Sequence, residues 1–135
     1  MCFGMSEPVA GSDAAMLKTR AVKDGDNWKI SGRKIWTTHI PIADYCIVFA
    51  ITDPERASKK AGGISTFLVP TSAPGLNVES VIRMHGHIGG SEGITALEDV
   101  KVEPWNLLGN CTKGFELGCL GSPWDEFITR RAPWV

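Results

Sequence analysis

The stretch AVKDGDNWKISGRKIWTT, residues 21–38, decides the fold class. Asp24-Gly25 supplies the positive φ values that a tight primed turn requires, so the runs on either side of it pair as a hairpin: KTRAV (Lys18–Val22) and NWKISGRKIWTT (Asn27–Thr38). Successive side chains of a strand leave on opposite faces. That rule puts Trp28, Ile30, Lys34, Trp36 and Thr38 on one parity and Lys29, Ser31, Arg33, Ile35 and Thr37 on the other. The alternation is clean at the start and blurs at the end, so Ile35 and Trp36 are both expected to be covered, on opposite faces.

Working outward, DYCIVFAIT (Asp44–Thr52) is an uninterrupted apolar run of strand length, as expected of a central strand buried on both sides. DPERASKKAGG is charged, ends in glycines and reads as a surface loop. ISTFLVP and LNVESVIR are further strands, divided by the turn-forming TSAPG, and ITALEDVKV (Ile94–Val102) is another, preceded by the glycine-rich connector MHGHIGGSEG. With no long helical period, this pattern predicts an all-β barrel or sandwich of about six to seven strands carrying an N-terminal ligand loop. That loop and the last thirty residues lie outside the strand pattern, and there is no internal repeat.

At 135 residues the chain suits one domain, able to bury roughly 68% of its unfolded surface. The near balance of Lys and Arg (14) against Asp and Glu (15) leaves no basic field to drive binding to nucleic acid or an anionic membrane. Cys2, Cys46, Cys111 and Cys119 are scattered without a C-x-x-C pair, which favours a reduced intracellular setting, cytoplasmic or mitochondrial matrix, over secretion. Cys46, inside YCIVFAI, reads as a small buried hydrophobe. Neither an export signal nor a run of eighteen apolar residues is visible.

Two segments carry candidate chemistry. In GMSEPVAGSDAAM (Gly4–Met16), Pro8 biases Glu7 toward an extended conformation and Gly11 permits close approach of the main chain. Loop amides with the Ser6 and Ser12 hydroxyls can hold phosphate or carbonyl oxygens, but composition alone favours an ordinary turn and helix cap built on Ser12 or Asp13. In KIWTTH (Lys34–His39), Trp36 beside Thr37 and Thr38 gives a π face with adjacent hydroxyls, suited to a planar heteroaromatic cofactor. A strand tryptophan is nevertheless more often core. His85 and His87 share one face if extended, but no acidic or cysteine partner has metal-ligand spacing, so no metal is expected. GGSEG lacks the Lys-Ser/Thr of a phosphate loop, and no nucleophile triad follows from spacing.

The order of these segments is more specific than any one of them. The SEPVAGSD loop, the KIWTTH strand end and the exit ALEDVKVEPWNLLG together resemble the middle β-domain of the acyl-CoA dehydrogenases over residues 1–117, leaving 118–135 as an unassigned tail. Ser6 stands where Thr is commoner in that family, and His39 where Asn is. The resemblance implies that the loop from Phe3 to Ser12 lies along the isoalloxazine of FAD, with Phe3, Met5, Ser6, Gly11 and Ser12 contacting the cofactor and Ser12 also near the acyl-CoA substrate. It implies that Trp36 packs against the flavin ring with Thr37 and Thr38 beside it.

The implied activity is α,β-desaturation of an acyl-CoA thioester: a carboxylate removes the α-proton while the β-hydride passes to the flavin. Electrons then leave to an electron-transfer flavoprotein. The family's base is a glutamate of a C-terminal helical domain, so no catalytic residue is expected in this chain, and Glu7 and Asp13 are not expected to act as the base. The isolated chain is expected to be catalytically incomplete without the N- and C-terminal helical domains. Association into an oligomer through apolar surface left uncovered is open. The alternative class is a non-catalytic β-barrel binding or assembly module in which Trp36 is core.

Overall fold

A computed structural model describes residues 1–13, 16–86, 91–112 and 114. Eight strands form one sheet: β1 (Cys2–Gly4), β2 (Arg20–Asp24), β3 (Asn27–Thr38), β4 (Tyr45–Ile51), β5 (Ile64–Pro70), β6 (Leu76–Ile82), β7 (Glu92–Val102) and β8 (Leu107–Leu108). Their spatial order is β6-β7-β3-β2-β4-β5-β8, with β1 parallel to β4. The fold is all-β, as expected, and the six strands anticipated from pattern are β2 to β7.

β4 is central because its apolar run serves two interiors. Cys46, Val48 and Ala50 face one core with Trp28, Ile30, Phe67, Val69 and Val100. Ile47 and Phe49 face a second with Ala10, Leu17, Ile64 and Leu108. Trp28 on β3 meets Phe67 on β5 edge to face at 5.6 Å although two strands separate them in the sheet, so the sheet curls over its first core. The hairpin forms with Asp24 opposite Asn27, which makes Gly25 and Asp26 its two central residues. Gly25 alone has a positive φ, +63°, so the turn needs one left-handed residue where two were expected.

Three expectations are corrected. The N-terminal segment and the stretch after β7, expected outside the strand pattern, each add a strand to the sheet. Cys2–Gly4 pairs with β4, and Leu107–Leu108 pairs with β5, both through contacts too distant in sequence to read from local pattern. The charged DPERASKKAGG segment contains a short helix, α1 (Pro54–Ser58), started by Asp53, whose carboxylate accepts from the Arg56 amide at 3.1 Å. Finally, Trp36 is not covered; the residue is 51% exposed.

The cause of that exposure is a bulge. Lys34 pairs with Thr95 and Thr37 with Gly93, so β3 carries one residue more than β7 between those pairs. The extra residue is accommodated with Trp36 at φ +60°, and the parity of the strand switches across it. Trp28, Ile30 and Lys34 are buried before the bulge, and Thr37 after it, while Thr38 is exposed.

Candidate functional site

The N-terminal loop is a tight reverse turn anchored to β3. Glu7 and Ala10 exchange backbone hydrogen bonds at 2.9 and 3.1 Å, with Pro8 at the second position, where its fixed φ suits the turn. Just before the turn, the Ser6 carbonyl accepts from the Ile35 amide at 2.9 Å. The serine loop and the tryptophan strand end are therefore directly joined.

Beneath them lies an ion pair that the sequence reading missed. Lys34 Nζ is 2.8 Å from Glu7 Oε1, and the two side chains are 1% and 2% exposed. The ammonium also donates to the carbonyls of Phe49 at 2.7 Å and Met5 at 3.3 Å, so its three donors are all engaged. The Glu7 carboxylate further accepts from the amides of Lys18 and Thr19. One ion pair thus clamps the loop, β3, β4 and the entry to β2. The signal available in sequence was Lys34 on the same parity as Trp28 and Ile30, a charge on a core face that demands a counter-ion.

Burial alone would raise the Glu7 carboxyl, but the charge of Lys34 and the contacts from Lys34, Thr19 and Lys18 together hold it below the usual carboxylate value. Burial is likewise the main influence on Lys34 and lowers its ammonium, with Glu7 restoring part of the loss. Glu7 is committed to these partners and is not available to a substrate. Asp13 is exposed and paired with Lys60 at 2.8 Å.

Around this clamp the candidate residues take different positions. Phe3 is 39% exposed and packs on the buried Phe49 with ring centroids 4.9 Å apart. Met5 and Ser6 are half-buried, while Gly11, Ser12, Trp36 and Thr38 are exposed. Among the described residues the Ser6, Ser12 and Thr38 hydroxyls have no hydrogen-bond partner. Thr37 differs: it is fully buried and its Oγ1 is unpartnered within the interior. His39, at φ +63°, is fastened outside the bulge by its amide to the Ser91 carbonyl at 3.0 Å and by Nδ1 to Ser91 Oγ at 3.2 Å. His85 is exposed, and His87 lies outside the described residues.

A groove of about 220 Å³ opens beside the loop's exit, lined by Leu17, Lys18, Arg20, Ile51, Ala57 and Lys60 among others. The exposed indole held out by the bulge, with the Ser6 loop joined to its strand, offers a flat face and hydroxyl donors to a planar ligand, and the groove at the loop's exit separately presents Lys18 and Arg20. Among the described residues no helix is long and apolar enough to cross a membrane.

An eight-stranded sheet carrying an N-terminal loop clamped by a buried ion pair makes the described residues an all-β domain. Residues 2–100 match the family model "Acyl-CoA dehydrogenase, middle domain", and the chain belongs to that family. It is 42% identical over 114 residues to the probable acyl-CoA dehydrogenase YngJ of Bacillus subtilis, covering 84% of this chain and 30% of that protein. Against the mitochondrial short-chain specific acyl-CoA dehydrogenase of Rattus norvegicus it is 40% identical over 116 residues, 86% of this chain and 27% of that protein. Butyryl-CoA dehydrogenase from Megasphaera elsdenii superposes with a TM-score of 0.81 at 34% identity, over 86% of this chain and 30% of that one. The chain thus spans about 30% of the length of these relatives.

Proposed function

We propose that these residues form the flavin-facing middle domain of an FAD-dependent acyl-CoA dehydrogenase, with Ser6, Ser12, Trp36 and Thr38 as the side chains presented to cofactor and substrate. The observation carrying this reading is the joint between Ser6 and Ile35, which brings the serine loop beside an indole that the bulge keeps in solvent. The side chains fit the group: the indole offers a face for stacking, and the free hydroxyls offer donors for ring carbonyls and nitrogens. FAD, when bound, supplies the hydride acceptor.

The chain's own contribution is positional. Trp36 fixes the plane of the ring, Ser6 and Thr38 orient its polar edge, and Phe3 and Met5 border it on the loop side. Thr37 is buried beside them with its Oγ1 unpartnered. The groove's Lys18 and Arg20 suit the phosphates of a CoA thioester, Lys60 being already paired with Asp13. Glu7 holds the architecture and does not remove protons; by the family resemblance the α-proton base is a glutamate of a C-terminal helical domain, and an electron-transfer flavoprotein is the electron acceptor of the complete enzyme.

The test is titration of the purified chain with FAD, followed by tryptophan emission and by the flavin spectrum, with and without added helical segments of a relative. Saturable quenching that is lost in Trp36→Ala, with far-UV circular dichroism unchanged, supports the reading. Absence of saturation even with the helical segments present overturns it and leaves a non-catalytic β-module.

A further inference from the structure

The flavin reading leaves two buried thiols without a role. Cys2 on β1 and Cys46 on β4 are direct partners in the parallel ladder, and both are free. They are 6% and 1% exposed and belong to the same core, so both side chains leave the sheet on one face. Adjacent strands lie about 4.7–4.9 Å apart, inside the window of about 4.4–6.8 Å that a disulfide requires between Cα atoms. Cys46 Sγ also sits against β1, since a Cβ placed on Gly4 would be 3.3 Å from it.

We propose that Cys2 and Cys46 form a dithiol modification site, which reacts with a disulfide-class oxidant and closes to an intramolecular disulfide tying β1 to β4. The two thiols differ in character. Hydrogen bonding from Cys46 brings Cys2 below the usual thiol value despite burial, and the same contact, followed by burial, pushes Cys46 well above it. Cys2, the less buried of the two and on the short strand that opens, is the attacking sulfur. Access comes from local opening: β1 has three residues, and among the described strands it has a ladder with β4 alone.

The Cys2 thiolate attacks one sulfur of the oxidant, whose S–S bond breaks and releases a thiolate that takes up the proton lost by Cys2. Cys46 then gives its proton to solvent and attacks Cys2 Sγ in the mixed disulfide, releasing the second thiolate, which is protonated in turn. Two protein thiols are oxidised by two electrons, and one small disulfide is reduced to two thiols. Because β1 runs directly into Met5 and Ser6, the new bond would fix the root of the ligand loop. This inference rests on the ladder register and stands apart from the flavin assignment.

The experiment incubates the folded chain with oxidised glutathione at pH 8, blocks remaining thiols by alkylation and maps peptides by mass spectrometry, with parallel samples in urea. The expected result is a Cys2–Cys46 linked peptide in the folded sample, two hydrogens lighter than its thiol form, abolished by dithiothreitol and absent from Cys2→Ser and Cys46→Ser. Mapping of the unsubstituted chain alone decides the question should either variant fail to fold. A linked peptide found only in urea, a glutathione adduct that persists on Cys2 without closing, or full alkylation of both thiols after incubation would each overturn the proposal.

Discussion

The amide of Ile35 donates to the carbonyl of Ser6 at 2.9 Å, and the flanking residues Lys34 and Glu7 form a buried ion pair at 2.8 Å. Loop and strand are thereby joined at two consecutive positions, once through the backbone and once through charge. Trp36 follows immediately and is turned out to solvent.

The left-handed backbone at Trp36 makes a prediction that runs against ordinary strand behaviour. In a strand interior Gly is worse than Ala by about 0.5–1 kcal/mol. At φ +60° the penalty falls on Ala instead, by about 1–2 kcal/mol. Trp36→Gly should therefore be at least as stable as Trp36→Ala in urea unfolding. A clearly lower midpoint for the glycine variant would mean that the bulge is not left-handed there.

Removing one member of the Glu7–Lys34 pair leaves a buried charge without a partner, which costs about 3–5 kcal/mol. Glu7→Gln and Lys34→Met should each lower stability by this order. The double variant should lose substantially less than their sum, because neither charge remains to be desolvated. Simple additivity in a double-mutant cycle would show that the two side chains do not act together.

The same pair sets a pH dependence. The folded-state value of Glu7 lies below its ordinary 4.5, so its contribution is complete above that value and is lost as pH falls through the folded-state value. Lys34 is lowered from 10.5, so between its folded-state value and 10.5 the unfolded chain binds more protons and stability rises with pH. Urea midpoints should accordingly fall on acidification below 4.5, and the Glu7→Gln/Lys34→Met variant should respond less at both ends. Equal acid slopes for the two proteins would remove Glu7 from this role.

Gly75, in the turn between β5 and β6, has φ +89°, and a Cβ there would stand within 2.2 Å of the Glu98 carbonyl oxygen. That carbonyl belongs to the backbone and cannot rotate away as a side chain would. Gly75→Ala should lose about 1–3 kcal/mol from overpacking, with a further cost from the left-handed φ. Thermal or urea unfolding within about 0.5 kcal/mol of the parent chain would contradict this close approach.

Much of this molecule was legible from local pattern. The Asp-Gly turn, the alternation around Trp28 and Ile30 and the apolar run of β4 located β2 to β7, because strand pairing across a short turn and burial on two faces both leave periodic marks. The three ordered motifs were enough to indicate the family. What the sequence left open was set by contacts between distant residues. The partner of Lys34 is 27 positions away, and β1 and β8 exist only because β4 and β5 offer them free edges. The outward turn of Trp36 follows from a register mismatch between β3 and β7, a property of two strands together that neither strand's own alternation can encode.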